Sequence, residues 1–177
     1  MTLRSIASKG KVEHAIDFVQ VFLDGGNKLI LFCSSHEIVD KLKKAFPKAV
    51  TVTGRDSSVM KQAAVDAFQQ REDVQLIICS IKAAGVGLTL TASSNVAFVE
   101  LPWTYADCCQ CEDRAHRIGQ KDNVTCYYLL GRGTIDHKLY NIIHNKKAIA
   151  NSIMASDDEI PTDRLYFEEL ASTLLNE

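Results

Sequence analysis

Short runs of β-branched and apolar residues alternate with longer stretches whose apolar positions return every three or four residues. This alternation predicts strands separated by amphipathic helices. "VEHAIDFVQVFLD" (12–24) places Val12, Ile16, Val19 and Leu23 on one helical face and stops at Gly25-Gly26. "KLILFCS" (28–34) is continuously apolar up to its last residue, as a strand covered on both faces of a parallel sheet should be. Ser35 can cap a helix running to about Phe46, with Ile38, Leu42 and Ala45 inward and Pro47 ending it. A strand at 49–54, a helix at 57–70 with Val65 and Phe68 among its apolar positions, and strands at 74–81, 95–101 and 124–130 continue the pattern. Between the last two strands a helix is expected from about Tyr105 to His116, opened by Thr104 and Asp107 at the spacing of a capping box. A long helix follows Thr134, with Ile135, Leu139, Ile142, Ile149 and Ile153 in one stripe. Residues 156–163 read as a linker and 164–175 as one short helix.

Strands alternating with helices give an α/β fold, a parallel sheet with helices on both faces. The working surface of such a sheet lies at the carboxyl ends of its strands, which points to the loops after residues 34, 54, 81, 102 and 130. The 177 residues, 46% hydrophobic, suffice for one well-cored domain with at most a small appendage. No apolar run approaches the roughly 20 residues needed to span a bilayer, and "MTLRSIASKGKVEH" lacks the apolar stretch of a signal peptide. The expectation is an intracellular protein (cytoplasm, nucleoid or nucleus) with no membrane partner.

Six cysteines fit that expectation as reduced, buried or half-buried thiols. Cys108, Cys109 and Cys111 crowd one segment, but positions i, i+1 and i+3 of a helix do not converge on a tetrahedron, so no metal site is expected. The net charge of −2 conceals an asymmetry: residues 156–177 carry seven acids and one base, which leaves +4 for residues 1–155. The basic body permits a polyanionic partner without demanding one.

Several nucleotide-site motifs are absent. No G-x-x-x-x-G-K-[ST] occurs, no acidic cluster follows a strand, and no G-x-S-x-G, H-E-x-x-H or G-x-G-x-x-G is found. A self-sufficient nucleotide hydrolase is therefore not expected. What is present is "SIKAAGVGLTLTASS" after the third strand. There Gly85 and Gly87 permit close backbone approach, Ser80, Thr89 and Thr91 supply hydroxyls, and Lys82 supplies charge. "TGR" (53–55) offers another backbone approach. In "QCEDRAHRIGQ" (110–120), Gln110, Arg114 and Arg117 would share a face if the helix ran through them, and Asp113 could brace an arginine. A guanidinium fork recognises phosphate oxygens and cannot lose its charge. By spacing alone the same residues also suit a solvated basic helix end.

"SIKAAGVGLTLTASSNVAFVELPW" followed by "QCEDRAHRIGQKDNV" resembles motifs V and VI of the SWI/SNF-type helicase-like ATPases of superfamily 2, in the second of their two RecA-like lobes. "KLILFCSS" is similar to motif IV and "TGRDSSVMKQAAVDAFQ" to the segment after it, so the resemblance runs from about Lys11 to Met154. The form Q-x3-R-x2-R-I-G-Q separates it from RNA helicases of the DEAD-box type. "GLTLTAS" with "ELPW" resembles the annealing-helicase, fork-remodelling branch more than the chromatin remodellers. There are departures: Lys61 stands where an arginine is common, Ala84 where a glycine is usual, and "WTY" (103–105) where W-N-P is common.

The resemblance implies a RecA-like three-layer sandwich over 1–155, followed by an acidic linker and short helix over 156–177. It implies that Arg114 and Arg117 reach the γ-phosphate of ATP, with Gln110 organising the cleft. Gly85, Gly87 and Asp113 shape the nucleotide side. Ser34, Gly54, Ser80, Lys82 and Thr89 are placed near a tracked DNA strand. ATP and its magnesium would be held mainly by the absent first lobe. The implied partners are that N-terminal RecA-like lobe and double-stranded or forked DNA bound without sequence preference. The function implied is that of the C-terminal motor lobe of a DNA translocase, inactive as an ATPase alone. The residues by themselves also allow a stand-alone α/β interaction module or a small-anion binder.

Overall fold

The computed structural model describes residues 3–84 and 87–153. Five parallel strands form one sheet in the order β2-β3-β1-β4-β5: β1 (Leu29–Cys33), β2 (Val50–Val52), β3 (Leu76–Ser80), β4 (Asn95–Phe98) and β5 (Thr125–Tyr128). The helices between and around them are α1 (Leu3–Asp24), α2 (His36–Ala45), α3 (Ser58–Gln70), α4 (Ile81–Ala84), α5 (Tyr105–Glu112) and α6 (Ile135–Ile153).

Alternation along each central strand sorts the core into two layers. Ile30, Phe32, Ile77, Cys79, Val96 and Phe98 face one side, where Val65 and Phe68 of α3 and Cys111 of α5 cover them. Leu29, Leu31, Cys33, Leu76, Ile78 and Ala97 face the other, under Val12, Ala15 and Val19 of α1 and Ile38, Val39 and Leu42 of α2. All residues of β1 and β3 are buried, which explains why both strands read as continuous apolar runs. A third cluster joins Leu101 and Cys108 to Leu139, Ile142 and Ile143 of α6. Leu139 and Ile142 therefore bury as their stripe predicts. The side chains of Ile149 and Ile153, the linker at 156–163 and the helix expected at 164–175 lie outside the described residues.

Three expectations change. α1 begins at Leu3, nine residues before the apolar stripe at Val12. Its first half is anchored by buried polar groups, which a hydrophobic pattern does not register: Ser8 Oγ donates to Glu100 Oε1 at 2.8 Å, and Lys11 Nζ donates to Asp136 Oδ2 at 2.5 Å and to the Leu129 carbonyl at 2.7 Å. Ala45 is exposed rather than inward; the chain leaves the helical path at Phe46, and that ring is buried instead. α5 stops at Glu112 rather than His116, and Asp113 caps it with its amide on the Cys109 and Cys111 carbonyls. The expected cap at Thr104 forms, its Oγ1 accepting from the Asp107 amide, and Ser57 Oγ, which the sequence reading did not single out, accepts from the Met60 amide.

Cys33, Cys79, Cys108 and Cys111 are buried, whereas Cys109 and Cys126 are half-buried. Burial pushes the Cys79 and Cys108 thiols from the ordinary 9.0 up to about 12. The folded chain thus keeps protons that the unfolded chain releases, so these thiols add stability that is fully present below pH 9.0 and is lost as pH rises toward about 12. Urea unfolding midpoints are expected to fall across that window. In the native chain at neutral pH an alkylating reagent is expected to label Cys109 and Cys126 before the other four. Fast labelling of Cys108 would contradict this packing.

Candidate functional site

At the carboxyl edge of the sheet, β1 and β4 are neighbours whose chains leave toward opposite faces, β1 into α2 and β4 toward α5. Ser34 and Ser35 close β1, and their amides donate to Glu100 Oε2 at 2.8 and 2.7 Å. Glu100 is 4% exposed and is held by three donors counting Ser8. Ser35 sits at the N-cap of α2 but, against expectation, makes no side-chain cap; its own amide and that of Ser34, ahead of the helix, find their acceptor in a residue far along the chain. A buried carboxylate of this kind is stable only when its acceptor sites are filled, as they are here.

After β2, Asp56 Oδ2 accepts from the Thr53 amide at 2.7 Å and its hydroxyl at 2.9 Å, closing the turn that carries exposed Gly54. After β3, Ser80 is buried and its hydroxyl accepts from the Ala83 amide at 3.3 Å, so it opens α4, while Lys82 is exposed. Gly87 then takes φ +55°, a conformation that favours glycine. Gly85 lies outside the described residues.

Residues 113–120 fold back on this loop after β3. The Leu90 amide donates to the Arg114 carbonyl at 2.8 Å. Arg117 Nη1 donates to the carbonyls of Gly87 and Leu88 at 2.9 and 3.1 Å and to Thr89 Oγ1 at 2.8 Å. Gln120 Nε2 reaches the Ser93 carbonyl at 3.0 Å, and from α3 Gln69 takes the Ala92 amide at 2.7 Å. Gly119, with φ +106°, turns the tip, and Ile118 beside it is fully exposed.

With α5 ended at Glu112, Gln110, Arg114 and Arg117 do not share a helical face. Gln110 and Asp113 are exposed, Gln110 in the last turn of α5 and Asp113 at its cap. Arg114 is half-buried, and its Nε is buried with no hydrogen-bond partner among the described residues. A buried N–H left without an acceptor costs about 1–3 kcal/mol. Thr89, Arg117 and Gly87 come together; Ser34 and Gly54 belong to separate loops of the same edge. Among the described residues no group of three or more His, Cys, Asp or Glu side chains gathers in metal-binding range. A concavity of about 970 Å³ lies between α1 and residues 128–135, at the loop after β5, and none of the candidate nucleotide or DNA residues lines it.

Residues 10–119 match the helicase conserved C-terminal domain, and that span covers both of these loops and the two arginines. The chain belongs to this helicase C-terminal family. It is 33% identical over 144 residues to the SWI/SNF-related matrix-associated actin-dependent regulator of chromatin subfamily A-like protein 1 homolog of Caenorhabditis elegans, covering 78% of this chain and 21% of that protein. It is also 33% identical over 155 residues to the human DNA annealing helicase and endonuclease ZRANB3, covering 85% of this chain and 14% of that protein. Among solved structures, the C-terminal part of the Fun30 ATPase domain superposes with a TM-score of 0.70 at 25% identity, over 76% of this chain and 45% of that one. The fold is thus the RecA-like lobe of SWI/SNF-type helicase-like proteins, and the chain spans about a fifth or less of the curated relatives it matches.

The family's helicase lobe, in this chain, carries three positions the sequence pattern did not single out for the site. Glu100 and Gln69 are single polar residues whose partners are distant, and no local spacing marks them. Gln120 had a signal, since it closes the "RIGQ" string, but its contacts are backbone carbonyls and amides of its own lobe.

Proposed function

We propose that this chain is the second motor lobe of an ATP-dependent double-stranded-DNA translocase of SWI/SNF type, working inside the cell on duplex or forked DNA. The observation that carries the reading is Arg114. A permanently charged guanidinium with a buried, unpartnered Nε sits on the same short segment as a second arginine. Its acceptor is proposed to be a phosphate oxygen of ATP held, with magnesium, by a first lobe.

The donor set fits a phosphate and does not fit a metal, since no described cluster of acids, cysteines and histidines accompanies the arginines. The bound triphosphate supplies the reactive phosphoanhydride. The lobe's own residues supply positive charge aimed from outside the nucleotide pocket, where charge builds up on the phosphoryl oxygens. Gln110 and Asp113, exposed around the end of α5, would line the same face, with Gly87 allowing close approach on the neighbouring loop; Gly85 is proposed for the same role from its place in the motif alone.

DNA is proposed to lie along the other exits of the sheet, over exposed Ser34, Gly54 and Lys82 and half-buried Thr89. The buried Ser80 hydroxyl and the Ser34 amide already serve inside the lobe, as partners of Ala83 and Glu100. The DNA contacts proposed here are thus the exposed groups beside them. Backbone contacts of this kind give binding without sequence preference and with strong salt dependence.

Joining a first lobe from a family member ahead of this chain is expected to give DNA-stimulated ATP hydrolysis, while the chain alone gives none above background. Robust turnover by the isolated chain would overturn the half-site reading. So would a joined protein that binds DNA and ATP yet never hydrolyses.

A further inference from the structure

The concavity between α1 and the loop after β5 has an apolar wall that the described lobe leaves open. Leu3, Ile6 and Gly10 stand at i, i+3 and i+7, one line along α1. Leu3 is 64% and Ile6 54% exposed. Leu130, Arg132 and Ile135 line the same space from the other element. Large apolar side chains gathered at a concavity mark an interaction site, unlike apolar residues scattered singly. Gly10 points the same way. Inside a helix, glycine is the costliest residue after proline. A Cβ at Gly10 would meet nothing within 4 Å among the described residues beyond its own helix, so no such neighbour requires the small residue. A bare stretch of helix backbone does allow a second helix to cross closely.

The chain carries a segment that fits. On a helix, residues 164–175, "RLYFEELASTLL", place Tyr166, Leu170 and Leu174 (i, i+4, i+8) beside Phe167 and Ala171, with Glu168 and Glu169 outside that apolar face. The segment can reach. Ile135 lines the concavity at the start of α6, and the 19 residues of α6 lead about 28 Å away from it. Residues 154–163 can span up to about 33 Å when extended, enough to return along α6. Charge favours the return: seven acids and one base over 156–177 come back to a body of net charge +4, with exposed Arg132 on the concavity.

We infer that residues 164–175 dock as an amphipathic helix in this concavity and cross α1 at Gly10. The apolar face of the segment covers Leu3 and Ile6, and its glutamates lie toward Arg132. The docking stands independently of the motor reading, since it uses neither the nucleotide nor the DNA residues.

The test is amide exchange on the full chain, read by mass spectrometry. Residues 165–174 are expected to exchange at least about tenfold more slowly than the same sequence unfolded, as a docked element does. Gly10→Leu fits the open space beside α1 but fills the crossing point, and should remove that protection while the β1 and β3 amides stay unchanged. Phe167→Asp/Leu170→Asp should in turn speed exchange over residues 6–10, which decides the matter even if Gly10→Leu fails to fold. Arg132→Glu should speed tail exchange about two- to fivefold, the worth of an exposed ion pair. Adding Glu168→Lys/Glu169→Lys to it should restore the protection, which a merely disturbed fold would not do. A wild-type tail that exchanges as an unfolded peptide overturns the docking, and so does a protected tail indifferent to changes at both Gly10 and Arg132. Protection that rises with protein concentration, with a doubled mass by light scattering, would make the occupant a second copy and overturn the intramolecular reading.

Discussion

Replacing Arg114 and Arg117 together by alanine in the two-lobe protein is expected to lower DNA-stimulated ATP turnover by about 10³-fold or more, the range over which arginines act on phosphoryl transfer. The size follows from the absence of a substitute. No other lysine or arginine stands on the 113–120 segment. Because the two arginines act on one charge distribution, the single mutants should each approach the double mutant rather than share its loss. Arg114→Lys keeps a charge but not the planar fork, and should fall between wild type and alanine. Folding is monitored by the unfolding midpoint, and binding by nucleotide titration. A double mutant that folds, binds DNA and still turns over at the wild-type rate would end the motor reading.

The second large effect is on stability. Lys11 Nζ meets Asp136 Oδ2 with the two side chains 8% and 4% exposed, and the same carboxylate oxygen accepts from the Gly131 amide at 2.9 Å. Asp136 stands in the first turn of α6, so its charge also opposes the positive end of that helix. Asp136→Ala would leave a buried ammonium with the Leu129 carbonyl as its remaining described acceptor. Removing one member of such a pair costs about 3–5 kcal/mol, far more than the net worth of the pair. The urea midpoint should fall with little change in slope, and the melting temperature by about 10 °C. Lys11→Met combined with Asp136→Leu should recover most of the loss, because the desolvation cost of both charges disappears together. Equal losses in the single and double variants would mean that the site needs its polar atoms, not only a filled volume.

The same pair shows which features the sequence could announce. The strands and helices were legible because burial on both faces of a sheet, or on one side of a helix, leaves a repeating trace within a few residues. Val12, Val19, Ile38, Leu42, Val65 and Phe68 all fell inside as their spacing required. The motif residues of the candidate site were legible as strings, and the loops carrying them were assigned to the correct edge of the sheet. The shape of the site was not. Helical periodicity continues on paper through Arg117, yet α5 ends at Glu112; the Arg114 carbonyl accepts the Leu90 amide, and the Arg117 and Gln120 side chains donate to acceptors in residues 87–93 that a continued helix would not present to them.

The amino-acid sequence by itself determined the parallel α/β architecture, the face most of the apolar stripe positions take and the membership in a helicase C-terminal family. All three are carried by local period or contiguous strings. Only the tertiary structure decided that Glu100 seats the amides of Ser34 and Ser35, that Lys11 and Asp136 brace α1 to α6, and that Arg117 rests on the 87–89 turn while Arg114 Nε is buried without a partner among the described residues. These are pairings of single polar groups across separations from 28 to 125 residues. A buried donor or acceptor must be paired, but where its partner stands is set by how the chain packs and leaves no repeating mark along it.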